Sequence, residues 1–381
     1  MRIDRFARGV GAVVVLGGAV LGGAGVLGAC EEDPHRRSTA ASAGECTSQA
    51  GKLPEPNCDN SEKSCSPEPG CSINEAKCGS KSTCLPMVDN KGKSLLDFRI
   101  RRLNVAAPKA LAQAFIQKTV VTTNIDLQAK ECGELGKGLF TWLLSVDRTK
   151  NEITTGGAPP PSDPFGKGFC FANFTTADGI AIAPITAKLS FTGETFKSTE
   201  KKKLNVPIFI SPDPASVIVL PITDVTIEAT TISAGGNCIG SLNLDGISAQ
   251  CTDDPATCSK WNTAGSLGGF ITLEEADGVF IQDLTQSLCV VLTQSTKDPA
   301  TNRCKRENGK IAFQGDFCST DRQPGSCKDS VWMAATFAAA AVKVFDGAGV
   351  PACSGAGNKD GGVEGGAADG GGDAATDAKG D

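Results

Sequence analysis

The sequence predicts a mainly β protein: a β-sandwich or jelly-roll-like main domain with two short helices, preceded by a small disulfide-rich segment. Three observations carry this. Across residues 94–353, apolar and β-branched runs recur between clusters of Gly, Pro, Asn and Asp, the rhythm of strands and turns. Within that region Val225, Ile227 and Ala229 alternate with Thr226, Glu228 and Thr230, the mark of a strand with one wet face. Ahead of it, six cysteines (Cys46, Cys58, Cys65, Cys71, Cys78 and Cys84) fall in a stretch whose only large aliphatics are Leu53 and Ile73, so covalent staples must replace a core there.

The expected strands are Phe98–Val105, Val120–Leu127, Leu139–Val146, Ile180–Phe191, Leu204–Ile210, Val217–Leu220 and Ile222–Ile232. Pro207 and Pro221 belong at strand starts or edges, where a missing N–H is tolerated. The run "GGAPPPSDPFGKG" (Gly156–Gly168) reads as an exposed loop. Thr272-Leu273-Glu274-Glu275 fits a capping box, with Gly278 as a stop. Asp283-Leu284-Thr285-Gln286 fits another, after which Leu284, Leu288, Val291 and Leu292 share a helical face. Val331–Phe345 is alanine-rich, which favours helix, but its place after the Cys304–Cys327 stretch suits a closing strand. Residues 354–381 hold Gly, Ala and Asp with almost nothing to bury, and are expected to be disordered.

The first 29 residues have another character. Arg2, Arg5 and Arg8 precede an uncharged run from Gly9 to Ala29, the layout of a secretory signal. The run is long enough to span a bilayer, but its many glycines each cost a helix about 0.8–1 kcal/mol relative to alanine. It ends at Leu27-Gly28-Ala29-Cys30, which resembles the bacterial lipobox, where cleavage leaves a terminal cysteine that carries acyl chains. Cys30 is therefore the expected lipid attachment point, residues 1–29 the signal peptide and 30–45 a flexible tether to the disulfide-rich segment 46–93. Each buried CH₂ of an acyl chain contributes about 0.8 kcal/mol, and two or more chains anchor stably. Glu31, Glu32 and Asp33 then turn the chain away from anionic headgroups.

Setting Cys30 aside leaves an even number of cysteines in a chain that carries an export signal, the pattern of disulfides in an oxidising compartment. The candidates are the six named above with Cys132, Cys170, Cys238, Cys251, Cys258, Cys289, Cys304, Cys318, Cys327 and Cys353. Spacing does not fix their pairing. Cys58, Cys71 and Cys84 are evenly spaced, as are Cys65 and Cys78. The segment is read either as a stapled spacer or as a ligand-binding knot of three disulfides. A single histidine and no close cysteine pair argue against zinc.

Composition excludes several functions. The chain carries a net charge of −6, and losing residues 1–29 would make it more acidic, so it suits neither nucleic acid nor a polybasic membrane contact. His35, the one histidine, lies in the tether, which rules against imidazole-based catalysis. No HExxH motif is present, and no cofactor is expected. Carboxylates remain. Glu274, Glu275 and Asp277 are neighbours whose simplest reading is surface solvation, and Asp245, Asp253 and Asp254 are weak calcium candidates on loops. Ser198–Lys201 matches S-x-x-K without its companion elements, and Lys201–Lys203 reads as a solvated edge. Trp142 is expected in the core and Trp261 against a disulfide.

The segments Leu220–Val225, Asn237–Asn243 and Gly269–Asp277, with the Gly/Ala/Asp tail, resemble uncharacterised bacterial lipoproteins of the myxobacterial type. That resemblance implies an envelope lipoprotein and transfers no activity or site residues. The reading is a lipid-anchored cell-envelope protein at the outer membrane or periplasmic face. It is a non-enzymatic binding or structural module whose partner is a glycan or protein; the alternative is a carboxylate-dependent hydrolase acting on polysaccharide.

Overall fold

Long strands with apolar residues at alternate positions need partners on both edges, and here one antiparallel sheet supplies them all. The computed structural model describes residues 49–56, 84–129, 134–209, 211, 213, 216–242, 259–281 and 284–353. The chain divides into two units, Met1–Ala41 and Ser42–Asp381, and every described residue belongs to the second. The expected signal peptide, Cys30 and the expected tether lie outside the described residues, as do the interior of the disulfide-rich segment and the Gly/Ala/Asp tail.

The sheet is built from β1 (Leu95–Ala107), β2 (Thr141–Asp147), β3 (Glu152–Ala158), β4 (Ile185–Thr192), β5 (Thr195–Ser198), β6 (Lys202–Phe209), β7 (Val217–Glu228), β8 (Thr230–Thr231), β9 (Gly265–Thr272) and β10 (Ser330–Ala341). Its order is β6-β7-β9-β10-β1-β2-β3-β4-β5-β8. The two ends of that path are contiguous in the chain: β6 follows β5, and β8 follows β7. Val217–Phe209 through Val225–Lys202 pair at one end of this doubled strand, and Thr230–Phe196 and Thr231–Thr195 pair at the other. Between them the Ser198 hydroxyl accepts from the Ile227 amide (3.0 Å) and donates to its carbonyl (3.3 Å), standing in for a missing ladder partner. The sheet thus curls round and closes on itself, and the expected mainly β, sandwich-like core lies between its facing walls.

That core follows from period-two patterning. Leu96, Phe98 and Ile100 of β1, Trp142, Leu144 and Val146 of β2, Ala187 and Leu189 of β4, Leu204 and Val206 of β6 and Phe337 and Ala339 of β10 form one buried cluster. Burying each large side chain contributes about 1.5–3 kcal/mol. Side chains of the neighbouring strands crowd β9 closely. A Cβ on Gly265 would stand 2.5 Å from the Phe337 ring, and one on Gly269 would stand 2.8 Å from Ile222 Cγ2. Glycine at both positions leaves room for Phe337 and Ile222 of the neighbouring strands, which is why "AGSLGGF" makes a strand despite its poor propensity.

The outer face of this wall is covered as well. Asp97, Arg99 and Arg101 alternate with the core residues of β1, and both arginines are buried. The Arg99 guanidinium donates to the carbonyls of Ile125 and Ile100 and to the Thr141 hydroxyl, and lies 5.6 Å from the Phe169 ring centre. Burial, with Arg101 nearby, lowers its pKa to about 9. Phe169, Phe171, Leu127, Leu143 and Val342 form an apolar patch over this wall, and Cys84, Leu85, Cys238 and Trp261 another.

Among the described residues three helical segments accompany the sheet. Ala114–Ile116, Gln117–Thr122 (π-helical) and Thr123–Ile125 run together as α1; α2 is Leu273–Gly278 and α3 is Leu288–Thr293. The strand expected at Val120–Leu127 is therefore corrected to helix. Its β-branched residues find no free edge, because β2 pairs β1 only from Leu95 to Arg99 and Gln117 occupies the next stretch. The Gln117 amide donates to the Leu103 carbonyl (2.7 Å) and accepts from the Val105 N–H (2.9 Å). The capping box at Thr272–Glu275 forms as expected. The one expected at Asp283 does not start a helix: α3 begins at Leu288, and its N-cap hydroxyl, Ser287, donates to Asp277 instead. Asp283 itself is outside the described residues.

Val331–Phe345 is a strand through Ala341, paired with β1 and β9. Three strands, β3, β5 and β9, escaped the sequence reading. Gly156–Ala158 belong to β3 rather than to a loop, because the glycines admit Pro184 and Pro207 where a Cβ would collide. Pro207 does lie on a strand at the end of the sheet path. Pro221 lies inside β7, past the stretch that pairs with β9, where no N–H is required.

Burial pushes the Asp97 carboxyl above its ordinary value, against the opposing hydrogen bond from the Ser145 hydroxyl. The folded chain therefore holds this proton more tightly than the unfolded chain does. Stability from that proton is full below the ordinary value of 3.8 and is lost as pH rises through the raised one. Asp97→Asn is expected to raise the melting temperature at pH 7, with the gain closing below pH 3.8, measured by calorimetry across pH. Equal melting temperatures at pH 7 would contradict this.

Candidate functional site

β7 carries the one irregularity that turns polar groups into a recess. Between Thr223, opposite Phe270, and Thr226, opposite Gly268, the strand holds one residue more than its partner β9. Asp224 takes φ +55° in this bulge, a left-handed conformation uncommon for a non-glycine residue. Asp224, Thr226 and Glu228 thereby line a recess of about 350 Å³, while Val225 and Ile227 pack inward.

The floor is aromatic. Phe317 stands 5.2 Å from Phe270 and 5.1 Å from Trp332, centre to centre, and all three rings are buried. The Trp332 indole N–H donates to the Lys52 carbonyl (2.8 Å), and Leu53 packs on the same cluster, so the chain segment 49–56 forms one rim. Arg322 forms the other. Its Nε lies 2.9 Å from Asp224 Oδ2, and its guanidinium lies 4.8 Å from the Phe270 ring centre. Lys201 Nζ approaches Asp224 at 4.0 Å. Below them the Trp332 amide donates to Asp316 (2.8 Å), whose carboxyl burial raises above its ordinary value.

This arrangement offers acceptors at Asp224, Thr226 and Glu228 and cationic donors at Lys201 and Arg322, around a floor too deeply covered to stack a ligand. It suits hydrogen-bonding, hydroxyl-rich or charged groups. It does not present the two opposed carboxyls that glycoside hydrolysis requires, because Asp224 and Glu228 share one wall and Asp224 is held by Arg322.

The sequence-predicted positions distribute as follows. Cys84 bonds Cys238, Cys170 bonds Cys353, Cys289 bonds Cys304 and Cys318 bonds Cys327. Cys84 reaches across 154 residues, so the six N-terminal cysteines do not close a three-disulfide knot among themselves. Cys30, Cys46, Cys58, Cys65, Cys71, Cys78, Cys132, Cys251 and Cys258 lie outside the described residues, as do the calcium candidates Asp245, Asp253 and Asp254. Trp142 is in the core, and Trp261 packs beside the Cys84–Cys238 bridge.

The acidic cluster on α2 is not uniformly solvated. Glu274 pairs with Arg306 (2.6 Å) and Glu275 with Lys203 (2.9 Å) at the surface. Asp277 is buried, accepting from Ser287 Oγ (2.8 Å), the Cys304 amide (2.8 Å) and Arg306 (3.0 Å). Among the described residues two groups have metal-like proximity, Asp277 with Cys289 and Cys304, and Asp329 with Cys318 and Cys327. Their sulfurs are joined in disulfides and offer no thiolate. Ser198 is engaged with Ile227, so the S-x-x-K match carries no nucleophile.

Sequence reasoning missed Asp224, Glu228 and Arg322. One signal was present. The apolar positions run Ile218, Leu220, Ile222 and then Val225, Ile227, a slip of phase that marks a bulge at residues 223–224. Nothing in the sequence places Arg322 beside it. Comparison with protein families, curated proteins and solved structures finds no match to this chain.

Arg322→Ala is expected to leave folding stability within about 1 kcal/mol of wild type, since an exposed ion pair contributes about 0–1 kcal/mol. Chemical denaturation checks this. A loss of several kcal/mol would show that the pair holds the fold rather than lines the recess.

Proposed function

We propose that this chain is a lipid-anchored bacterial cell-envelope protein acting as a non-enzymatic binding module, with the recess at Asp224, Glu228 and Arg322 as its contact site for a hydroxyl-rich glycan. The lipobox-like Leu27–Cys30 behind a basic start supports the anchor. Four disulfides among the described residues suit an oxidising compartment. The observation that carries the binding reading is the bulge at Asp224. A strained residue set beside a polar recess, in a sheet whose core is filled, is a feature that packing alone does not require.

Carboxylates on one wall, neutralised in part by a guanidinium, hold hydroxyl groups by hydrogen bonding and leave no opposed acid and base to cleave a glycosidic bond. The test is titration of the full chain with purified envelope polysaccharide, following both binding and the release of reducing ends. The expected result is saturable binding without release, weakened at least about tenfold in Asp224→Ala, the cost of losing one or two charge-assisted hydrogen bonds. Release of reducing ends that Asp224→Ala abolishes would overturn the non-enzymatic reading. Binding unchanged in that variant would remove the recess from it.

A further inference from the structure

Phe115 is 69% exposed and Val120 is 43% exposed, and both sit on α1. Lys118 and Thr119, between them on the helix, are exposed as well. The other face is fully engaged, with Gln117, Thr122 and Ile125 buried against β1 and its surroundings. The helix is therefore firmly seated while an aromatic ring and a valine point to solvent.

Charge along this part of the chain is one-sided. Residues 98–125 include Arg99, Arg101, Arg102, Lys109 and Lys118 and no carboxylate, in a chain of net charge −6. The three arginines are buried in the wall, whereas Lys109 and Lys118 are exposed on the segment that carries Phe115 and Val120. Segment 49–56 also packs near the end of β1 that leads into this helix. Ala50 and Leu53 pack in one cluster with Ala107, the last residue of β1, shortly before α1 starts at Ala114. Cys30 precedes Gln49 by fewer than twenty residues, at most about 70 Å of extended chain.

We infer that the exposed face of α1 is a membrane-surface contact, with Phe115 and Val120 in the interfacial layer and Lys109 and Lys118 toward anionic headgroups. The inference rests on the lipid-anchored reading above. Aromatic rings favour the headgroup boundary, and lysines beside them gain from an anionic surface. An anchor at the end of a tether fixes distance but not orientation. A second, weaker contact on a rigid helix would set which face of the barrel looks outward.

The experiment places a reporter at the exposed ring. The full-length protein as the cell processes it, carrying Phe115→Trp, is mixed with phosphatidylethanolamine–phosphatidylglycerol vesicles whose acyl chains bear nitroxide quenchers. Phe165→Trp, at a residue 40% exposed on the loop that follows β3, is the control. Emission is read as the difference from wild type, because Trp142, Trp261 and Trp332 also fluoresce. The indole introduced by Phe115→Trp is expected to shift to the blue and lose about half or more of its emission, as for a ring buried ~5–10 Å into the interface, while the control indole is unchanged. Emission from the Phe115→Trp reporter that is unquenched, or that shifts only with protein concentration as self-association would cause, overturns the inference. The mass of the same preparation reports separately whether Cys30 carries acyl chains. Quenching supports the contact and its absence overturns it under either mass result, so the two readings fail independently.

Discussion

The structure depends on the sheet meeting itself. With β5–β6 and β7–β8 each taken as one strand, the path has eight positions, and the first pairs with the last. At that size a curled sheet has an interior that side chains just fill, so closure and core are one condition. The seam is where regular pairing fails: Ala229 takes φ +45° between β7 and β8, and Ser198 bridges the gap through its hydroxyl. Closure also leaves few unpaired backbone groups to recruit another chain.

The recess adds a local feature to this frame. β1 shifts register at Arg101 and near Ala107 as well, but the β7 shift, next to Gly268 and Gly269 of β9, is the one that holds a carboxylate, Asp224. The bulge aims that carboxylate outward, where Arg322 and Lys201 meet it. The outer layer adds long-range covalent ties. Cys84–Cys238 pins the segment before β1 to the wall near β10, and Cys170–Cys353 joins residues 183 apart. In a chain-entropy picture, loops of that length give the largest stabilisation from a disulfide, about 4–5 kcal/mol each before native-state strain.

The mainly β class was legible because its cause is local. Phe98, Ile100, Val146 and Leu189 alternate with polar neighbours, and period two follows from the backbone alone. The capping box at Thr272 is equally local. What was illegible depends on distant partners. β9 went unread because the reason for its glycines is Phe337, far away in sequence. Val120–Leu127 reads as strand because the edge it would have joined is filled by Gln117. The recess lay hidden for a similar reason. Its carboxylates are spaced like any wet strand face, and only folding sets Arg322 and the Phe270–Phe317–Trp332 floor around them.

Amide hydrogen exchange at the seam tests closure most directly. Ile227 N–H bonds the Ser198 hydroxyl, so in the wild type it is expected to exchange as slowly as amides in β1 and β10, and in Ser198→Ala to exchange faster while those strands stay protected. An Ile227 amide that exchanges at the rate of an open loop in the wild type would contradict closure, and with it the architecture on which the recess and the seated helix depend.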